Sequence, residues 1–239
     1  MKKILGIISA VVMVVLLLTG CTSNQAIKEV PAEPSPTPEK NEITVSILTG
    51  DVVGRNKQYF KVSGLADSEV EDALNSDLFL FSAWDGIEDY TLDFAVVGNF
   101  LSVRRAGTQN TEGSAYLTNF LQTQIFDLST GKQAGSLADF VRLDKDILDN
   151  IEDGIFKLVY PEEIKSVIPI DDVNERLYEE IVNNHARRDD YFDMNFYLTE
   201  TSLGLFIETL HAEGDYWVFE ATYEAIRPIL SEKLLAALK

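Results

Sequence analysis

Histidines, a lone cysteine and clustered acids are the side chains here whose chemistry could make a site. The chain holds two histidines and one cysteine in 239 residues. In HAEGD, His211, Glu213 and Asp215 stand at alternate positions. An imidazole with two carboxylates is a possible metal-ligand set. The stretch falls between two predicted strands, and Gly214 among polar residues suits a turn, so a turn is expected rather than a metal site. His185 lies near the end of a predicted helix, before Arg187 and Arg188. Cationic groups are favoured there by the helix dipole, and no partner for general-base work stands beside it.

DKDILDNIEDG has aspartates at the density of a calcium loop. A calcium loop needs acids or amides at alternate positions, then Gly. Counting from Asp149 the third position is Ile151, and from Asp144 the fifth is Leu148, so the pattern fails. The solvated face of a helix is the better account. No G-x-S-x-G, P-loop or G-x-G-x-x-G occurs. A glycosidase-like carboxylate pair is compatible with 39 acids, but nothing selects one. DYFDMNFY (190–197) and GDYWVF (214–219) mix rings with acids, as carbohydrate or basic-peptide surfaces do. Strands with one core face look the same, and core is expected. No catalytic residue, metal or cofactor is expected.

Cys21 has a clearer role. Lys2 and Lys3 precede an apolar run from Ile4 to Leu18, broken only by Gly6 and Ser9. Small residues Thr19 and Gly20 follow, giving the charged, apolar, small layout of a secretory leader. At about 15 residues the run is short of the roughly 20 that span a bilayer. LTGC, residues 18–21, resembles the lipobox of bacterial lipoproteins. The resemblance implies cleavage before Cys21, lipid on its sulfur, and stable anchoring by two or three acyl chains. No other cysteine exists to form a disulfide or a Cys-based zinc site.

Composition sets the rest. There are 20 basic and 39 acidic residues, a net charge of −19. Without residues 1–20, which carry two lysines and no acid, 18 basic residues face 39 acidic ones, and the net charge is −21. Such a chain repels nucleic acid and anionic headgroups and attracts basic partners. Residues 22–42 hold Pro31, Pro34, Pro36 and Pro38 and no aromatic. That segment cannot build a core and is expected to be an extended tether.

From Ile43 the chain reads as a globular α+β domain with a largely antiparallel sheet and several helices, residues 43–239. ITVSIL alternates as a strand. Ser68 and Glu71 have capping-box spacing before a helix with Val70, Ala73, Leu74, Leu78 and Phe81 on one face. DYTLDFAVVGNFLSVRR and SAYLTNFLQTQIFDL read as long strands, with DLSTGK (127–132) a turn. Leu143, Ile147, Ile151 and Ile155 predict a helix running on until Pro161 stops it. Asp171, Asp172 and Glu175 open another, with Val173, Leu177 and Ile181 inward. Two strands around TETS follow, then a strand, a break near Pro228 and a last helix in SEKLLAAL.

Several of these stretches resemble one family. They are YFKVSGLADSEVEDALNSDL (59–78), YLTNFLQTQIFDLSTGKQAGSLADFV (116–141), NFYLTETSLGLFIET (195–209) and YWVFEATYEAIRPIL (216–230). Together they resemble the extracytoplasmic domain of unknown function in the anti-sigma factor RsiV and beside the deacetylase domain of PdaC. The resemblance covers nearly all of 43–235 and implies a compact α+β domain at the bacterial surface. In RsiV that domain binds lysozyme, a basic protein. The family shows P-Y-x-x-A-x-G before its last strand, where this chain has LHAEGDYW and keeps Gly214. The expectation is a lipid-anchored, non-catalytic binding domain on the outer face of a bacterial membrane. Its ligand would be a basic protein such as lysozyme, or cell-wall glycan, and not nucleic acid. A wall-modifying enzyme and a structural envelope protein are the alternatives.

Overall fold

Residue alternation produces strands over most of the domain, and they pair as three antiparallel sheets. The computed structural model describes residues 42–52, 55–82, 87–110, 115–143, 145–161, 168–187 and 195–239. All belong to the unit Lys40–Lys239. The expected leader, Cys21 and the expected tether up to residue 41 lie outside the described residues, as do Asp144, Arg188 and 189–194.

Strands β1 (Thr44–Val52) and β2 (Arg55–Ser63) form a two-stranded sheet. The second sheet is a meander of β3 (Ile87–Val97), β4 (Phe100–Asn110), β5 (Leu117–Asp127) and β6 (Lys132–Gln133). The third contains β7 (Lys157–Tyr160), β8 (Asn195–Leu198), β9 (Ser202–Glu208) and β10 (Tyr216–Thr222), in the order β7-β10-β9-β8. The α-helices among the described residues are α1 (Ser68–Ser82), α2 (Lys145–Glu152), α3 (Ile170–Arg187) and α4 (Glu232–Ala237). Mixed α+β is therefore the class, with three sheets in place of one. The meander ends at the two-residue β6, and β7 pairs with β10 in the third sheet instead.

Each face of the meander has its own core. On one side Leu101, Val103 and Phe126 pack with Leu74 and Leu78 of α1 and Phe60 and Val62 of β2. On the other, Phe100 and Ile125 join Trp217, Phe219 and Leu205 of the third sheet, with Val173, Leu177 and Ile181 of α3 behind them. Asn75 of α1 fastens the first core. Its Oδ1 accepts from Val62 N–H at 2.8 Å and its Nδ2 donates to Val62 O at 2.9 Å.

Two helix ends differ from the pattern reading. Helix α1 is capped by Asp67, one residue before Ser68. The Asp67 Oδ1 accepts from the N–H of Glu69 at 2.9 Å and of Val70 at 3.3 Å. Glu71 instead accepts from Leu65 N–H at 3.0 Å, tying the helix to the preceding turn. Helix α2 stops at Glu152, well short of Pro161. Gly154 takes φ 64°, and Ile155 N–H donates to Asn150 O while Gly154 N–H donates to Ile151 O. This is the doubly bonded glycine termination that satisfies the last carbonyls. It releases residues 157–160 to form β7.

Candidate functional site

The meander strands outlast the core they cover. Side chains of one face point, in register, first at the third sheet and then into a cleft. Asp93 of β3 stands opposite Arg104 of β4, and Arg104 opposite Thr123 of β5. At the packed end Ser102 Oγ accepts from Leu198 N–H at 3.0 Å, and Thr123 Oγ1 donates to Phe196 O at 2.7 Å. Beyond these ties Leu121 of β5 packs on the outer face of the third sheet, against a small buried cluster of Tyr197, Phe206, Tyr216 and Val218. Two adjoining cavities of about 310 Å³ each lie beside it, between the meander and β7 and β10. Thr91, Ala106, Tyr160 and Tyr216 line both.

Tyrosines make the wall opposite the meander. The rings of Tyr160 and Tyr216 stack at 4.8 Å and 22°. Tyr160 is 37% exposed, while Tyr216 beneath it is buried. Tyr197 is buried against Gly204, where a Cβ would lie 2.1 Å from its ring. Its hydroxyl donates to Glu220 at 2.6 Å, and Glu220 also accepts from Ser202 Oγ at 3.0 Å. Burial first, then the adjacent Glu220, pushes the Tyr197 phenol far up. Burial and contact with Tyr160 raise Tyr216 likewise.

Arg104 is the cation of the first cavity. It pairs with Asp93, which is 59% exposed, and lies over the Tyr197 ring at 4.4 Å from the centroid. Asp93 and Glu220 line the same cavity, and Asp89 lines its neighbour. The rim therefore offers three carboxylates and one guanidinium beside neutral hydroxyls.

A clasp closes the far end. Asp215 Oδ2 accepts from the backbone N–H of Asn119 at 2.7 Å and from its Nδ2 at 3.0 Å. Asp215 Oδ1 bonds His211 Nδ1 at 2.8 Å. The His211 ring stacks on Tyr116 at 5.3 Å. Asp215 has φ 75°, rare for a residue with a Cβ, and follows Gly214 at φ 104°. HAEGD is thus a turn, with His211–Glu213 a short 3-10 helix. Its acids diverge, for Glu213 binds Arg176 at 2.6 Å while Asp215 faces Asn119. Among the described residues no group of three or more His, Cys, Asp or Glu could hold a metal ion.

No family model matches the chain, and no curated protein matches it. Among solved structures the chain is similar to the crystal structure of a DUF3298 family protein from Pseudomonas aeruginosa. DUF3298 is a bacterial domain of unknown function. Identity is 12%, over 82% of this chain and 97% of that one, with a TM-score of 0.40. Among the described residues no helix is long and apolar enough to cross a membrane.

The residues singled out in the sequence fare unevenly. Cys21 lies outside the described residues, and His185 falls in the last turn of α3. Asp149 is on α2, as a helical solvated face requires. GDYWVF is core on both faces, as expected: Trp217 and Phe219 join the main core, and Tyr216 and Val218 are buried in a smaller cluster whose edge lines the cleft. Asn195–Tyr197, the end of DYFDMNFY, is β8, and only its Tyr197 lines the tyrosine wall. Asp93, Arg104, Tyr160 and Glu220 carry no local signal. They come from four strands and meet only through sheet register.

Proposed function

We propose that this chain is a non-catalytic binding domain, lipid-anchored through Cys21 on the extracytoplasmic face of a bacterial membrane. Its ligand seats in the cleft between the meander and the third sheet. The observation that supports this is the cleft itself, a tyrosine wall facing a charged, hydroxyl-rich strand surface. A ligand site combines apolar or aromatic area with a few placed polar groups, and this cleft has both. A basic protein such as lysozyme and cell-wall glycan are the ligand classes that the acid balance and the rings accommodate.

Titration of the protein with lysozyme and with peptidoglycan, at low and at high salt, tests the reading. Saturable binding to either, weakened by Tyr160→Ala, is the expected result. Salt-sensitive binding marks a charged partner. Binding to neither at low salt sinks the proposal.

A second reading, an enzyme acting on wall polymer, has one observation in its favour. Asp93 and Glu220 line one cavity, as a carboxylate pair would. Glycan turnover by the purified protein, abolished in Glu220→Gln, would replace binding with catalysis.

A further inference from the structure

We propose that the two adjoining cavities take successive rings of an uncharged glycan strand, with one sugar stacked on Tyr160. This rests on the reading of the cleft as the ligand site and names what that site accepts.

Size and shape come first. Each cavity is about 310 Å³, near the lower end of the roughly 300–1,000 Å³ that ligand pockets span. They share Thr91, Ala106, Tyr160 and Tyr216. A ligand built of successive ring-sized units suits two such volumes side by side.

The aromatic surface comes next. Tyr216 backs Tyr160 in a near-parallel stack, which holds Tyr160 as a flat platform with its outer face toward solvent. A pyranose presents weakly positive C–H groups on its apolar face, which suit the negative face of an aromatic ring.

Hydrogen bonding and charge narrow the choice. A sugar hydroxyl both donates and accepts, so it needs donors and acceptors side by side. Arg104 with Asp93 supplies that pairing in the first cavity, and Thr108 with Asp89, which it faces across β3 and β4, in the second. Three rim carboxylates against one guanidinium repel an anionic strand. That rim attracts a cation, but two of the three ring faces that would hold one are already taken. The Tyr197 face, where an incoming cation would gain most, already carries Arg104 at 4.4 Å. The face of Tyr216 is covered by Tyr160.

Calorimetric titration of the full-length protein in detergent tests this. The probes are chito- and cello-oligosaccharides of increasing length, with lysozyme as the basic-protein arm. Affinity is expected to rise at least about tenfold from one ring to two or three, a gain in the range of one added stacked and hydrogen-bonded unit. It should change little with salt. Tyr160→Ala should weaken it about tenfold or more, while Tyr160→Phe keeps it, because the flat face survives. Tyr160→Ala should unfold a few degrees below the wild type for want of the stack on Tyr216, and Tyr160→Phe closer to it. Oligosaccharide binding unmoved by Tyr160→Ala and by Arg104→Ala would overturn the placement. Lysozyme binding that depends on Tyr160, with no response to any oligosaccharide, would overturn the glycan assignment and keep the cleft as a ligand site. No response to either probe would overturn both.

Discussion

Tyr197 reaches Glu220 across an intervening strand. Tyr197 on β8, Gly204 on β9 and Glu220 on β10 stand in register. The absent side chain at Gly204 lets the phenol lie over β9 and donate at 2.6 Å. Removing the hydroxyl with Tyr197→Phe leaves Glu220 with Ser202 as its remaining donor among those described here. The expected loss is about 1.5–3 kcal/mol, the range for a hydrogen bond to a charged group. Gly204→Ala drives a methyl into the Tyr197 ring and should cost about 1–3 kcal/mol by overpacking. Urea midpoints with unchanged slope measure both. Wild-type stability in Gly204→Ala would mean that the ring does not lie where the register puts it.

Three buried phenols predict an alkaline limit to stability. Burial is the largest cause raising Tyr197, Tyr216 and Tyr223 above the ordinary value of 10.0. Above pH 10 the unfolded chain releases these protons while the folded chain keeps them. Stability is therefore complete below that pH and falls as it rises further, by up to about 1.4 kcal/mol per pH unit for each phenol. Arg105 acts with the opposite sign. Burial lowers it to about 10 from 12.5, so the folded chain sheds this proton first and gains stability in that window. One guanidinium against three phenols leaves a net fall. Thermal melts from pH 8 to 11 should show it, and Tyr197→Phe should make it shallower. A melting temperature that climbs through pH 10 would contradict the burial of these rings.

Helices α1 and α3 and the β3–β4 hairpin are legible because their apolar periods are long and their turn residues conventional. The end of α2 is not. Leu143, Ile147, Ile151 and Ile155 keep a four-residue spacing straight through Gly154. Spacing carries no record of a left-handed residue, and only the chain conformation at Gly154 separates helix from β7. The cleft is illegible for a different reason. Asp93 meets Arg104 through hairpin register, and Tyr160 meets Tyr216 through pairing of strands far apart in sequence. Tyr216 and Trp217 are neighbours in the chain but point to opposite faces, and no composition distinguishes the one that lines the cleft.

The proposed lipid attachment at Cys21 gives a prediction that does not depend on the cleft. A radiolabelled fatty acid is expected in the wild-type protein, which should sediment with membranes. Cys21→Ser should abolish the label and leave the leader uncleaved. Labelled Cys21→Ser protein would place the lipid elsewhere, and an unlabelled wild type would remove the anchor from the proposal.

The backbone at Asp215 and its side chain make opposing demands, and substitutions can separate them. The left-handed φ of 75° favours Gly or Asn, whereas the bonds to Asn119 and His211 need a side-chain oxygen. Asp215→Asn meets both in part and should be mildest. Asp215→Gly relaxes the backbone but strands the Asn119 donors, at about 1–3 kcal/mol. Asp215→Ala strands them too and keeps the strain, so it should lie about 1 kcal/mol below the glycine variant. Denaturant melts of the three give the order. If the alanine variant were the more stable of the last two, the left-handed conformation at Asp215 would not be a feature of the folded chain. If all three matched the wild type, the clasp between β5 and the β9–β10 turn would contribute nothing to holding the cleft together.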